Sequence, residues 1–572
     1  MSAANHPAYK EELERCRYTL DYVEKSLKKA LEKREKIGNE LESVQKHMSG
    51  DSSADYTSIM VNTMLHDTLA LKVKNLYTAR GKPYFARVDY KENDSDGTEK
   101  LYIGKMSLSR DEDQEIVIVD WRAPIANLYY EGRLGPSSYE CPDGIINGEL
   151  LLKRQFSINN GSLDEIFDID ITTNDEFLQT YLGANAENRL KEIVSTIQEE
   201  QNKIVRAPMW KPLIVQGVAG SGKTTIALHR IAYLIYTFEK SFDPENFMII
   251  APNRLFLNYI SEVLPELGVD RVKQTTFEEF SMELIGKKFK LRDANEKLNM
   301  FVNHNVTEEQ IMHNNLVRGS SILKTSMDFK DIIDEYLKEI ELSFIPKKDI
   351  TLGTKVIFSY EELNNLFLTQ YGMWPIAQRM NEIKKSIKTR LKTSKDQFIQ
   401  QIHAECDKKV ARARAGIADT SERQRCILEA FEKRDRVLEK IEKAAKSLIK
   451  DYVASLPKLS PYQYYVDLMK NTEVFNRIVA KYTDEETCKF IREYTLDILN
   501  SGGIEQEDLA PIIYLKYKVY GMDEKIPVRH IVIDEAQDFS AFQFYVMKKI
   551  VKDFFYYSRG FMSRHSFLQG GT

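Results

Sequence analysis

The run Gly217-Val218-Ala219-Gly220-Ser221-Gly222-Lys223-Thr224 has the residue types and spacing of a phosphate-binding loop. Its glycines let backbone N–H groups turn toward the β- and γ-phosphates of a nucleotide, Lys223 supplies a point charge, and Thr224 offers a hydroxyl to magnesium. Thr225 follows directly and belongs to the same nucleotide-binding set. A second run, Ile531-Val532-Ile533-Asp534-Glu535-Ala536-Gln537-Asp538, places two carboxylates at the end of three β-branched residues. A buried parallel strand would deliver such a pair to the nucleotide edge of a sheet. Asp534 would hold the magnesium, and Glu535 would orient or deprotonate an attacking water.

Both runs need a sheet to carry them. The apolar stretch 212–216 reads as a short strand ahead of the loop, and 225–236 reads as the helix that opens after it, whose N-terminus adds positive potential. Apolar strand character returns at 530–533, about 310 residues beyond Thr224. That separation is too long for one compact sheet, so the intervening chain must loop out. Most of it is helical in pattern, and 380–450 is dense in Lys, Arg and Glu, with Ile383, Ile387, Leu391, Phe398 and Ile402 at helical spacing. A solvated coiled coil is favoured there over a dedicated nucleic-acid surface.

Ahead of the loop, 13–48 places Cys16, Leu20, Val23, Leu27, Ala30, Ile37, Leu41, Val44 and Met48 in steps of three and four with a break at Arg34. This heptad seam predicts a helix of about 40 residues, ~60 Å long, ending at a turn-rich stretch around Asp51 and Asp55. The helical pattern of 59–76 can fold back on it as an antiparallel coiled arm; the alternative is a long helix lying along the body. Between 81 and 167 β-branched and aromatic alternation predicts a small β-rich module. The segment 174–207 reads as polar and helical.

The composition excludes several classes. With 42% hydrophobic and 29% charged residues the chain is globular, and no apolar run approaches the length of a membrane span. The acidic, polar N-terminus is no secretory signal, which predicts a cytoplasmic protein without membrane contact. Five cysteines without C-x-x-C spacing predict reduced thiols. The net charge of -5 gives no global attraction to a polyanion, so any nucleic-acid contact would be local.

The sequence D-E-A-Q-D at 534–538, the loop form G-x-A-G-S-G-K-T and an upstream glutamine resemble the UvrD/Rep-type superfamily 1 helicases. That resemblance implies ATP and Mg2+ as cofactors and an ATP hydrolase, with Gln537 joining Glu535 in catalysis. Gln201, within Ile197-Gln198-Glu199-Glu200-Gln201-Asn202-Lys203-Ile204-Val205, matches the family's Q motif, where an amide reads adenine. Ile249-Ile250-Ala251-Pro252-Asn253-Arg254 sits where motif Ia contacts single-stranded nucleic acid, and Gln274-Thr275-Thr276-Phe277 resembles the segment after it; both depart from the usual T-F-T-N-K form. The arm, Asp120-Trp121-Arg122-Ala123-Pro124-Ile125, the insertion, and Glu507-Asp508-Leu509-Ala510-Pro511 are similar to the HelD family over residues 1–553. HelD proteins are helicase-like ATPases that bind bacterial RNA polymerase through an arm entering its secondary channel, and promote its release or recycling. The resemblance thus implies RNA polymerase core as partner, DNA as a possible second one, and a monomer. Two rival functions remain: a 3'-5' DNA helicase acting on single-stranded DNA, and a non-hydrolysing polymerase-binding factor.

The implied fold class is α/β: a P-loop NTPase (RecA-like) domain split by a long helical insertion and preceded by a coiled-coil arm and a β-rich module. Its expected parts are the arm at 1–80, the module at 81–170, the ATPase domain at 171–280, the insertion at 281–505, the ATPase domain again at 506–553, and a tail at 554–572. In that tail neither strand alternation nor a helical face is legible. Freely chosen codons read one base later after Phe554-Phe555 give F-F-T-I-L-G-D-L-C-Q-G-I-H-S-Y-R-G, which resembles the family's motif III. The expectation is a frameshifted tail, a missing second RecA-like domain and weak or absent turnover.

Overall fold

The seam residues build one long helix, Tyr9–His47, which pairs with a second, Ser53–Gly81. The computed structural model describes residues 3–47, 53–95, 97–169, 199–218, 220–302, 307–353, 355–417, 419–457, 459–522, 526–551 and 554–559. The fold is mixed α/β and divides into two compact units, one of 1–275, 528–536 and 553–572, the other of 276–527 and 537–552.

In the first unit the buried line of Tyr9–His47 runs through Glu12, Cys16, Thr19, Val23, Leu27, Ala30 and Ile37. Leu20 and Leu41 are only half-buried. Along its middle the helix faces two partners. Val23, Leu27 and Ala30 pack against Val73, Leu76 and Ala79 of the second helix and also against Leu108, Val117 and Ile118 of the sheet. The arm is therefore an antiparallel pair whose base lies along the body, so each of the two expected arrangements describes part of it. Asp51 lies outside the described residues, as does the side chain of Asp55. At the base, the buried Glu12 carboxylate accepts from Arg87 at 2.6 Å, Arg154 at 2.7 Å and the Tyr102 hydroxyl at 3.0 Å.

The β-rich stretch forms a seven-stranded sheet around the 16-residue strand Gly144–Asn159. Its strand Glu99–Gly104 runs parallel to Ile116–Asp120, with Ile103 opposite Val119, and the chain leaves that edge at Asp120-Trp121-Arg122. The expected helical segment 174–207 is described only from Glu199, as the helix Glu199–Val205; its earlier part lies outside the described residues.

A second sheet holds five parallel strands in the order Lys273–Thr275, Phe247–Ile250, His530–Ile533, Phe554–Arg559, Leu213–Gln216. Phe247–Ile250 and His530–Ile533 are buried at every position, the pattern of a parallel strand covered on both faces. Phe554–Arg559, where no alternation is legible, pairs in parallel with His530–Ile533 on one side and Leu213–Gln216 on the other. A strand between two parallel neighbours needs a continuous run of large residues, and alternation is not required of it. Residues 560–572 lie outside the described residues.

The second unit is mainly helical. Its longest elements, Ile376–Gly416 and Thr420–Ala454, form a helical hairpin. Ile383, Ile387 and Leu391 are buried and Phe398 and Ile402 half-buried, whereas Thr420–Ala454 buries no residue fully. Deeper in this unit the Glu507-Asp508-Leu509 segment meets a buried lysine: Lys324 Nζ lies 2.9 Å from Glu505 and 2.8 Å from Asp508. Lys297 Nζ sits 2.7 Å from both Glu505 and Glu507, and the Tyr465 hydroxyl donates to Asp508. Among the described residues no helix is long and apolar enough to cross a membrane.

Candidate nucleotide site

Between the strand Leu213–Gln216 and the helix Lys223–Thr237, the chain turns at Gly220 and Gly222, with φ of 79° and 81°. These left-handed values suit glycine and are costly for other residues. A Cβ on Gly217 would fall 2.6 Å from Ser221 Oγ, so that hydroxyl would have to turn away. Gly222 caps the helix without a side-chain bond, which leaves the first N–H groups available to an anion. Lys223 Nζ donates to the carbonyls of Val218 at 2.9 Å and Gly217 at 3.1 Å, so the ammonium is folded back into the loop. Ala219 lies outside the described residues.

The acidic run meets the loop from the end of His530–Ile533, which lies two strands from Leu213–Gln216 in the sheet. Asp534 is 3% exposed, and Thr224 Oγ1 donates to its Oδ2 at 2.9 Å. Two hard oxygens at that separation match the edge of an octahedron with ~2.05 Å bonds, so the pair fits magnesium arriving with a triphosphate. Burial pushes the Asp534 carboxyl above the usual range; the Thr224 hydroxyl and the Glu535 N–H pull it back, the Glu535 charge adds to the rise, and Lys223 opposes it. Glu535 has a φ of 50°, a left-handed backbone held by its own N–H bonding Asp534 Oδ1 at 3.0 Å. Such strain in a non-glycine residue is typical of functional positions. Gln537 lies in the one-turn helix Ala536–Asp538, in the second compact unit.

Gln201 sits on the helix Glu199–Val205, and its Nε2 lies 3.7 Å from the point a Cβ on Gly222 would occupy. The structure thus brings Gln201, Lys223, Thr224, Asp534 and Glu535 to one loop. Thr225 is buried, and its carbonyl contacts His229 Nδ1 at 2.8 Å. In the motif Ia segment Asn253 caps the helix Arg254–Glu266, its Oδ1 accepting from Leu255 at 3.0 Å and Phe256 at 3.2 Å, while Leu255 is 78% exposed. In the next segment Thr276 caps Phe277–Ile285 through a 3.3 Å bond from Glu279 N.

Several residues around the loop escape sequence reasoning. Arg230 is fully buried on the loop helix and donates to the carbonyls of Ile204, Val205, Ala207 and Pro208 at 2.7 to 3.2 Å, capping the C-terminus of the Gln201 helix. His229 and His530 are buried against the two carrier elements. Burial lowers His229 to about 4, and burial with the Arg230 charge lowers His530 to about 3, so both rings are neutral at pH 7. An arginine two turns past a phosphate loop is the one signal that could have flagged Arg230.

The description of a UvrD/REP helicase N-terminal domain matches residues 197–556, and that of the DNA helicase IV HelD N-terminal domain matches 17–180. The chain belongs to the UvrD/REP helicase family. Within it the amino-terminal match makes this a protein of the HelD type, a helicase-like ATPase by family, and the family's use of nucleotide and Mg2+ agrees with the oxygen pair at Thr224 and Asp534. The UvrD/REP match begins just before the Gln201 helix and ends within the strand Phe554–Arg559. No curated protein matches the chain.

Proposed function

We propose that this chain is a RecA-like motor ATPase that binds RNA polymerase through its amino-terminal arm and promotes its release or recycling. The observation that carries the ATPase part is the 2.9 Å bond between Thr224 and Asp534, residues about 310 positions apart. Lys223 would leave the Gly217 and Val218 carbonyls for the β- and γ-phosphates, and the open N–H groups after Gly222 would hold the same oxygens. Gln201 would read adenine. Glu535 would position the attacking water and accept its proton. Bound magnesium would neutralise charge on the triphosphate.

The arm supports the polymerase part. On Ser53–Gly81 the side chains of Met60, Val61, Met64 and Leu65 are 43 to 67% exposed, four apolar residues grouped within six positions. Met60→Glu combined with Met64→Glu should cut co-elution with core RNA polymerase at least tenfold while ATP affinity stays unchanged. These positions test docking more cleanly than Leu27, which also packs on the sheet. Unchanged co-elution would remove the arm from the interaction. Turnover stimulated by single-stranded DNA and not by polymerase would favour the 3'-5' helicase reading.

A further inference from the structure

The described part of the helix that carries Gln201, Glu199–Val205, is gripped in two places, and these set its position. One grip is Arg230. The other comes from the β-rich sheet's side of the same unit. Asn202 is fully buried, and its Nδ2 donates to Asn127 Oδ1 at 2.6 Å and Glu131 Oε1 at 2.8 Å, while Asn127 Nδ2 donates to Glu131 Oε2 at 3.1 Å. Arg206 Nε donates to Asn202 Oδ1 at 3.1 Å, and its guanidinium also donates to the Trp121 carbonyl at 2.9 Å.

The Asp120-Trp121-Arg122 turn then reaches the loop helix itself. The Trp121 ring lies 5.3 Å from His229, Arg206 lies 4.9 Å over Tyr233, and Arg122 lies 4.7 Å over Tyr236. Positions 229, 233 and 236 share one face of that helix. Arg122 is itself fixed by a bidentate pair with Asp120 at 2.9 and 2.7 Å. Adjacent helix residues diverge by about 100°, so Asn202 can be gripped by this network while Gln201 is aimed at the loop.

We infer that Asn202, Arg206, Asn127 and Glu131 are positioning residues through which the β-rich module sets the nucleotide site's preference for adenine. The inference rests on the reading of Gln201 as the adenine-reading amide. A glutamine amide pairs with the donor and acceptor edge of adenine and mismatches guanine, but only when held to within a fraction of an ångström. A helix left to rotate loses that discrimination and keeps its phosphate contacts, because those are made by the loop.

The test is calorimetric titration of the full chain with Mg-ATP, Mg-GTP and inorganic tripolyphosphate. Asn202→Ala and Glu131→Gln should each weaken ATP about tenfold, the size of one lost hydrogen bond, with GTP and tripolyphosphate unchanged. Gln201→Ala should behave the same way. If Gln201→Ala lowers the ATP preference and the other two do not, the positioning role is overturned and the adenine reading stands. If Gln201→Ala changes nothing, the adenine reading fails and the inference with it. Equal loss of all three ligands in both Asn202→Ala and Glu131→Gln, the latter at a half-buried side chain, would mean a purely structural role and overturn it too.

Discussion

Lys223→Ala will abolish ATP binding, whereas Glu535→Gln will leave binding intact and slow turnover by about 10²- to 10⁴-fold. The difference follows from what each side chain faces. Lys223 is folded onto the Gly217 and Val218 carbonyls, and without its charge those oxygens would face a triphosphate unopposed. In the proposed mechanism the Glu535 carboxylate acts on the attacking water, while its backbone is held by Asp534 and glutamine keeps its shape. Calorimetry with Mg-ATP, paired with phosphate release, separates the two, and equal loss of binding in both variants would sink this division of labour. Because burial raises the Asp534 carboxyl, magnesium-dependent affinity should start to fall at a pH above the ordinary aspartate range near ~3.9. Asp534→Asn should abolish that acid limb.

The runs that meet at the candidate site were legible because they are short and have the spacing a phosphate would ask for. A loop of glycines, a lysine and a hydroxyl can be read without knowing the sheet, and three β-branched residues before two acids announce a buried strand. The strand Phe554–Arg559 was not legible, since a strand interior to a parallel sheet has no period of two to detect. The seam of the first helix was read correctly at Val23, Leu27 and Ala30, where a sheet shares the helix with its partner, while Leu20 and Leu41 proved only half-buried.

The grip on the Gln201 helix illustrates a different limit. Asn202 bonds residues 71 and 75 positions away, and Arg206 a carbonyl 85 away. No local periodicity encodes such pairs, so Asn202 and Arg206 read from sequence as ordinary polar residues of a surface helix. The burial of Asn202 and the bonds of Arg206 to it and to the Trp121 carbonyl are what give them a role. Arg230 is the same case, a charged residue in an apolar helix that only the carbonyls of 204–208 explain.

Lys324→Met will destabilise the second unit by about 3 to 5 kcal/mol, the cost of breaking a buried ion pair from one side. Lys324 is fully buried between Glu505 and Asp508, and its removal leaves two enclosed carboxylates with Lys297 as the nearby cation, reaching Glu505 and Glu507. Burial works against the Glu505 carboxylate, but Lys324 and Lys297 outweigh it and hold the group at about 2. A depressed carboxyl contributes stability that is present above its unfolded value near ~4.3 and lost as pH falls through about 2. Asp508 runs the other way: burial and the Glu505 charge raise it against the pull of Lys324, so its protonation eases part of the loss. Wild-type protein should therefore weaken between pH ~4.3 and 2, and Lys324→Met, with Glu505 no longer held down by its buried partner, should show a shallower slope from a lower starting stability. Urea unfolding followed across this pH range measures both. Adding Glu505→Gln and Asp508→Asn to Lys324→Met should recover much of the loss, since a neutral cluster of the same shape has no stranded charge. An unfolding midpoint unchanged in Lys324→Met would show that the cluster does not stabilise this unit.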